Sequence, residues 1–128
     1  MDTECSADQI LFKRLAGREV TAEFDGGAIT SDAGVLLLRE LEEQVGLIER
    51  LAECFEDHRD PGYIEHTLEE LLRQRIFGLI LGYEDLNDHD DLRRDFAVAT
   101  ACGKDEPDGG DRRQADDEGE PLAAAATL

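Results

Sequence analysis

One amphipathic segment constrains the fold of this chain more than any other. Apolar side chains recur there at intervals of three and four residues: Leu68, Leu71, Leu72, Ile76, Leu79 and Ile80. This spacing places them on one face of an α-helix, with Glu69, Arg73 and Gln74 on the polar side. Thr67 and Glu70 match a capping box at the start, although Asp60-Pro61 offers an earlier start. We expect this helix to be the most buried one.

Two shorter helices are predicted before it. Apolar residues at helical spacing run from Val35 to Val45, and Gly46 is a suitable C-terminal stop. Thr30, Ser31 or Asp32 can cap the first of these helices, because their side-chain oxygens accept a bond from a free N–H. The second helix carries a stripe at Leu47, Ile48, Leu51, Ala52 and Phe55, and the polar segment 57–62 ends it.

A β-hairpin is predicted near the N-terminus. Val20, Ala22 and Phe24 alternate with polar residues, as in a half-buried strand. Asp25-Gly26-Gly27 is a turn signal, and residues 28–30 then form a short returning strand. The predicted fold class is therefore mainly α: a short N-terminal β-hairpin followed by a small helical bundle, with a disordered acidic C-terminal tail.

The rest of the chain divides into recognisable parts. A short polar helix is expected around residues 89–94, and a brief apolar piece follows from Phe96 to Ala101. After Gly103, acidic residues, glycine and proline dominate, and such a composition does not offset its ordering entropy. We expect a flexible N-terminus at 1–17, a hairpin and helical domain at 18–102, and an acidic disordered tail at 103–128. The last seven residues resemble a helix that begins and then stops, as in a truncated chain.

The charge is strongly acidic throughout. The chain of 128 residues has 32 acidic and 13 basic side chains, a net charge of −19, and only two lysines. Acidic surfaces with little lysine are typical of adaptation to high salt, which we expect here. The same charge argues against strong autonomous DNA binding, which depends on phosphate contacts. No membrane span or signal peptide is evident, and the three separated cysteines fit the cytoplasm.

The usual chemical motifs are incomplete. The alternating ligands from Asp85 to Asp91 resemble a calcium loop, but its glycine and its final glutamate are missing. The three histidines are scattered, so each is expected at the surface or in a cap, and Cys54 is expected in the core. We therefore assign no catalytic, cofactor-binding or metal-binding residues. Basic pairs that can touch phosphates occur at 13/14, 73/75, 93/94 and 112/113, and each can alternatively pair with a nearby carboxylate. The DNA-contact candidates are Arg73, Arg75, Arg93 and Arg94.

Three sequence motifs carry a family resemblance. They are Phe24-Asp25-Gly26-Gly27 with the following Ile29 to Leu41, then His66 to Arg75, and finally Gly82-Tyr83-Glu84-Asp85-Leu86-Asn87-Asp88-His89-Asp90. In this order and spacing, residues 20–105 resemble the N-terminal region of insertion-sequence transposases with a DDE domain of group 1. The resemblance implies a longer parent protein with an RNase H-like core. There, three carboxylates bind two Mg²⁺ or Mn²⁺ ions for phosphodiester transfer during DNA transposition and recombination.

The resemblance also separates this chain from the catalysis. The catalytic carboxylates of the family follow the matched region, and residues 122–128 depart from the family pattern. We therefore expect an N-terminal fragment, inactive by itself, that at most assists the positioning of DNA element ends or assembly. The alternative is a small acidic interaction protein that binds or regulates the full-length transposase. The expected partners are DNA element ends, a full-length transposase or a second copy of the chain. An independent enzyme has no candidate site. We also expect exposed apolar side chains, because helices made to pack on a catalytic domain lose their cover.

Overall fold

The computed structural model describes residues 10–22 and 30–128. These ranges form an antiparallel hairpin followed by five α-helices, which confirms the predicted mainly α class with an N-terminal hairpin. None of the described helices is long and apolar enough to cross a bilayer. The elements are β1 Ile10–Leu15, β2 Arg18–Ala22, α1 Val35–Val45, α2 Leu47–Ala52, α3 Leu68–Leu81, α4 His89–Leu92 and α5 Phe96–Cys102.

The hairpin uses a different turn from the predicted one. β2 pairs with β1, with Phe12 opposite Val20, so the first strand lies in the segment assigned to a flexible N-terminus. Ala16 and Gly17 connect the strands with φ of 48° and 76°. Positive φ at both central residues is the requirement of a type I′ turn, which suits the twist of a hairpin. The predicted turn at 25–27 lies outside the described residues, as does most of its returning strand.

The core lies where α1, α3 and α5 meet. α5 packs against both other helices, and its residues from Val98 to Cys102 are buried. Small side chains at Ala99 and Ala101 let α5 approach its neighbours closely. Val35 of α1 and Phe77 of α3 belong to the same buried cluster. Burial in these surroundings raises the pKa of the Cys102 thiol to about 12, so this cysteine stays a neutral core residue.

The start of α3 is confirmed, but the orientation of its second half is not as predicted. Thr67 Oγ1 accepts the Glu70 N–H and the Glu70 carboxylate accepts the Thr67 N–H, which completes the capping box. Gln74, expected on the polar side, is only 1% exposed. Leu79 and Ile80, expected in the core, are 46% and 59% exposed. The reason is that polar groups of α4 and of the C-terminal segment cover α3 on the Gln74 side.

The first two helices agree in position but differ in detail. α1 ends at Val45, and Gly46 follows with a φ of 62°, the left-handed C-cap conformation that glycine favours. The predicted side-chain cap is wrong: Gly34 occupies the N-cap position, and the Asp32 side chain bonds to another part of the fold. α2 ends at Ala52, before the predicted Phe55. Cys54 is exposed, so its assignment to the core is also wrong.

Residues 103–128 contain 3-10 turns at Ala115–Asp117 and Ala125–Thr127 but no longer helix or strand. This agrees with the absence of an apolar period in the sequence. The end of the segment nevertheless contacts the bundle, and Leu122 is 1% exposed. The disorder predicted for this segment stays a prediction.

The hairpin turn gives a first stability prediction. Ala16 has a left-handed backbone conformation, which is unfavourable for alanine and which asparagine adopts more readily. Ala16→Asn should therefore raise the free energy of unfolding by about 1 kcal/mol. Gly17→Ala is the matched control and should lower it by a similar amount, because Gly17 also has a positive φ. Denaturant titration followed by circular dichroism measures both. Equal stability of the two variants would contradict the turn assignment.

Candidate functional site

The predicted DNA-contact arginines on α3 are engaged within the fold. Arg73 forms an ion pair with Glu69 one turn earlier, and its side chain is 17% exposed. Arg75 donates to the backbone oxygen of Glu84 at 2.9 Å and lies 3.3 Å from Nε2 of His89. The Arg73 ion pair therefore lies within α3, whereas Arg75 connects α3 to the segment that follows it.

The second arginine pair lies just after α4 and shares one carboxylate. Arg93 and Arg94 lie 2.6 Å and 2.7 Å from the carboxylate oxygens of Glu120, and Arg93 also reaches Asp117 at 3.2 Å. Arg94 is the most accessible of the four candidates, with a side chain 63% exposed. Contact with a DNA phosphate would compete with these pairs, and DNA contact by the four arginines stays a prediction.

Two of the three sequence motifs contact each other at a polar junction. The Tyr83 hydroxyl donates to the Asp32 carboxylate at 2.9 Å, and the Thr30 hydroxyl donates to Asp95 at 2.7 Å. The hydrogen bond to Asp32, with burial and the negative charge of the acceptor, raises the pKa of Tyr83. The loop before α1 is thereby fastened to both ends of the α3–α5 connection.

An acidic cleft opens beside this junction. It has a volume of about 180 Å³ and is lined by Asp32, Tyr83, Asp88, Asp91, Leu92 and Asp95. Four carboxylates on one small cleft attract cations in general. However, no three histidine, cysteine, aspartate or glutamate side chains within the described ranges are arranged to hold a metal ion. The cleft therefore concentrates negative charge without presenting a ligand set.

A buried polar cluster joins α3 to α4. His89 is fully buried, with Nδ1 3.3 Å from the Gln74 amide nitrogen. Its ring lies against Gly78, where a Cβ atom would come within 2.7 Å of His89 Cε1. Burial, followed by the charge of Arg75, lowers the pKa of His89. The expectation of a surface or cap histidine is therefore wrong here, because Gly78 makes room for the ring inside the bundle.

A second buried histidine lies under the C-terminal segment. His66 is 6% exposed, and its Nε2 lies 2.7 Å from a nitrogen of Arg112. Burial, followed by the charges of Lys104 and Arg112, lowers the pKa of His66 to about 4. The ring is therefore neutral at pH 7 and accepts the Arg112 hydrogen bond. The surface assignment of His66 is wrong too, whereas His58 is exposed as predicted.

The same face of the bundle holds the backbone of residues 121–125. The Gln74 amide nitrogen donates to the Ala123 oxygen at 2.8 Å, and the Ala123 N–H donates back to the Gln74 amide oxygen at 2.9 Å. Sequence analysis missed this role of Gln74. One signal was available: Gly78 interrupts the apolar helix one turn later, and an internal glycine indicates a close approach.

Comparison with known proteins identifies one family. A family model described as "Transposase DDE domain group 1" matches residues 12–128. No curated protein and no solved structure gives a significant match to the chain. The matched range includes the polar junction, the acidic cleft and the buried histidines.

The contact between Gly78 and His89 can be tested through stability. Gly78→Ala should lower the free energy of unfolding by about 1–3 kcal/mol, because the new methyl group would overlap the imidazole ring. Gly34→Ala is the matched control: its φ is −58° and the described atoms leave open space around it, so we expect no loss. Denaturant titration measures both variants. The close packing of His89 would be refuted by a Gly78→Ala variant as stable as the control.

Proposed function

Since the chain belongs to the transposase DDE domain group 1 family, we propose that it acts as a non-catalytic N-terminal module of a DDE transposase. Its function is related to DNA transposition. In this proposal the residues described above assist DNA positioning or assembly, and the catalytic carboxylates that would hold Mg²⁺ or Mn²⁺ ions lie elsewhere in the transposase.

The observation that carries this proposal is that aspartates of the three sequence motifs accept hydrogen bonds from within the fold. Asp32 accepts the Tyr83 hydroxyl, and Asp85 accepts the Asn87 N–H at 2.9 Å. Asp90 accepts the Ala125 N–H at 2.9 Å. These carboxylates stabilise turns and contacts, whereas a metal-dependent transposase needs three carboxylates that converge on two ions. Their hydrogen bonds support a structural role for the sequence motifs.

The electrostatics support an assisting role in DNA binding. A net charge of −19 opposes approach to a phosphate backbone, and Arg93 and Arg94 already form ion pairs with Glu120 and Asp117. We propose that contact with element ends by this region depends on the rest of the parent protein. The isolated chain should then bind DNA only weakly.

A second function, binding to a full-length transposase or to another copy, is supported by exposed apolar side chains. Leu37, Leu41 and Val45 on α1 are 62%, 56% and 49% exposed and follow each other at intervals of four residues. The same interval links Leu47, Leu51 and Phe55 in and after α2, which are also exposed. Exposed apolar residues were expected, and this regular spacing is typical of a helix face that packs on a partner.

A cleavage assay tests the first function. The purified chain, incubated with DNA that carries element ends and with Mg²⁺ or Mn²⁺, should neither nick nor join strands. A full-length transposase of the family, acting on its own element ends, serves as the positive control. Metal-dependent cleavage that co-purifies with the chain and is abolished by an Asp→Asn substitution within it would overturn the proposal.

A binding assay tests the second function. Immobilised chain should retain a full-length transposase, and Leu41→Glu should reduce the retained amount at least tenfold because a charge then replaces an apolar contact. Leu79→Glu is the matched control, since Leu79 is similarly exposed but lies on α3. Equal loss in both variants would indicate a nonspecific effect, and no retention of transposase by the unaltered chain would reject this function.

A further inference from the structure

The exposed apolar side chains are concentrated in one short part of the chain. Eleven large apolar residues are exposed within the described ranges, and six of them lie between residues 37 and 55. These six are Leu37, Leu41, Val45, Leu47, Leu51 and Phe55. The other five are spread from Tyr63 to Phe96. We call the group of six the α1–α2 face.

The α1–α2 face consists of two stripes that meet at one residue. Each stripe repeats at intervals of four residues, so it follows one side of its helix over about 12 Å. Gly46 alone separates the stripes, and Val45 and Leu47 on either side of it are 49% and 56% exposed. The Phe55 N–H donates to the Ala52 oxygen at 3.1 Å, which continues the turn beyond α2. Each stripe is thus long enough to contact two turns of a partner helix.

The charge of the same segment indicates the kind of partner. Residues 35–56 contain six glutamates and two arginines, a net charge of −4 within a chain of −19. Both arginines are bonded inside the segment: Arg39 Nε donates to Glu43 at 3.0 Å, and Arg50 Nε donates to the Gly46 backbone oxygen at 3.0 Å. A surface with one sign of charge accelerates the approach of partners with the opposite sign. The α1–α2 face therefore favours a basic partner.

A second copy of the chain is a poor occupant for the same reason. A symmetric dimer through this face would place the same surface of both copies opposite each other. Two segments of net charge −4, on two chains of net charge −19, would then be adjacent. Like charges placed together across an interface are unfavourable. Charge therefore distinguishes between the two partners of the second function proposed above.

We propose that the α1–α2 face binds an amphipathic helix of a positively charged partner protein. The apolar side of that helix lies on the two stripes, and its lysine or arginine side chains lie in the negative potential of the segment. This inference rests on the second proposed function, since it assigns the partner's chemistry to the same exposed side chains. Apolar contact then determines how slowly the complex dissociates, and charge determines how fast it forms.

A synthetic peptide tests the partner chemistry. The probe is an amphipathic leucine–lysine peptide of about five helical turns, with leucine along one face. Its binding to the immobilised chain is followed by surface plasmon resonance at physiological salt. Two control peptides are matched to it: one has glutamate in place of every lysine, and the other has the leucines and lysines in scrambled order.

The leucine–lysine helix should bind at least tenfold more tightly than either control peptide. The scrambled peptide has the same charge, so equal binding by it would reduce the interaction to unspecific attraction and overturn the proposal. Equal binding by the glutamate peptide would overturn the basic character of the partner.

Two variants of the chain separate contact from attraction. Leu41→Gln should raise the dissociation rate of the leucine–lysine helix at least fivefold, whereas Leu79→Gln, at a similarly exposed position on α3, should leave it unchanged. Glu49 and Glu53 are exposed and lie two positions from Leu51, so they are not on its stripe. The double variant Glu49→Gln, Glu53→Gln should therefore lower the association rate about twofold without changing the dissociation rate.

The matched control for the charge variant is Asp116→Asn with Glu118→Gln, which removes the same charge from exposed positions of the C-terminal segment. Its effect on the association rate should be smaller. An equal effect of both double variants, or an equal effect of Leu41→Gln and Leu79→Gln, would show that the peptide does not bind at the α1–α2 face. Circular dichroism checks that every variant keeps its helices.

A full-length transposase separates this inference from the function on which it rests. Retention that depends on Leu41 but neither on salt nor on Glu49 and Glu53 would support the second function and overturn the basic partner. Peptide binding as described, without retention of transposase, would reject the second function and keep the partner chemistry. Light scattering of the unaltered chain should give a monomer, and a dimer that Leu41→Gln dissociates would instead assign the face to a second copy.

Discussion

The buried amide of Gln74 is the contact on which the arrangement of the bundle depends most. It lies between the His89 ring and the backbone of Ala123, so it joins α3, α4 and the C-terminal segment at one point. Gly78 provides the space for the ring. An unsatisfied buried amide costs about 1–3 kcal/mol. The position of Gln74 on α3 is therefore stabilised by α4 and by the C-terminal segment, and both of these are held in turn by Gln74.

The acidic excess determines how the basic residues are used. Carboxylates outnumber basic groups by 32 to 13, so an arginine near the surface readily finds a partner within the chain. Glu120 engages two arginines at once, and Lys104 lies 8% exposed beside Glu70. The protein thus uses its positive charge for internal connections. Adaptation to high salt, which the composition suggests, stays a prediction.

The elements of this fold were largely predictable from local patterns, and the contacts between them were not. Helical spacing, Gly46 and the Thr67–Glu70 pair located α1 and α3, because these signals act within a few residues. The burial of Gln74 depends instead on Ala123, 49 residues away, and no local pattern encodes that distance. The first strand was missed for a similar reason: its evidence lies in its pairing with β2 and in the short Ala16-Gly17 turn.

The bond between Tyr83 and Asp32 makes the junction visible to spectroscopy. The chain has two tyrosines and no tryptophan, and the other tyrosine, Tyr63, is 83% exposed. The tyrosine absorption and emission therefore come from one solvated phenol and one phenol bonded to a carboxylate. Subtracting the signal of a Tyr63→Phe chain from that of the unaltered chain isolates the solvated phenol, and what remains in that variant is an intrinsic optical reporter of whether the loop before α1 is docked.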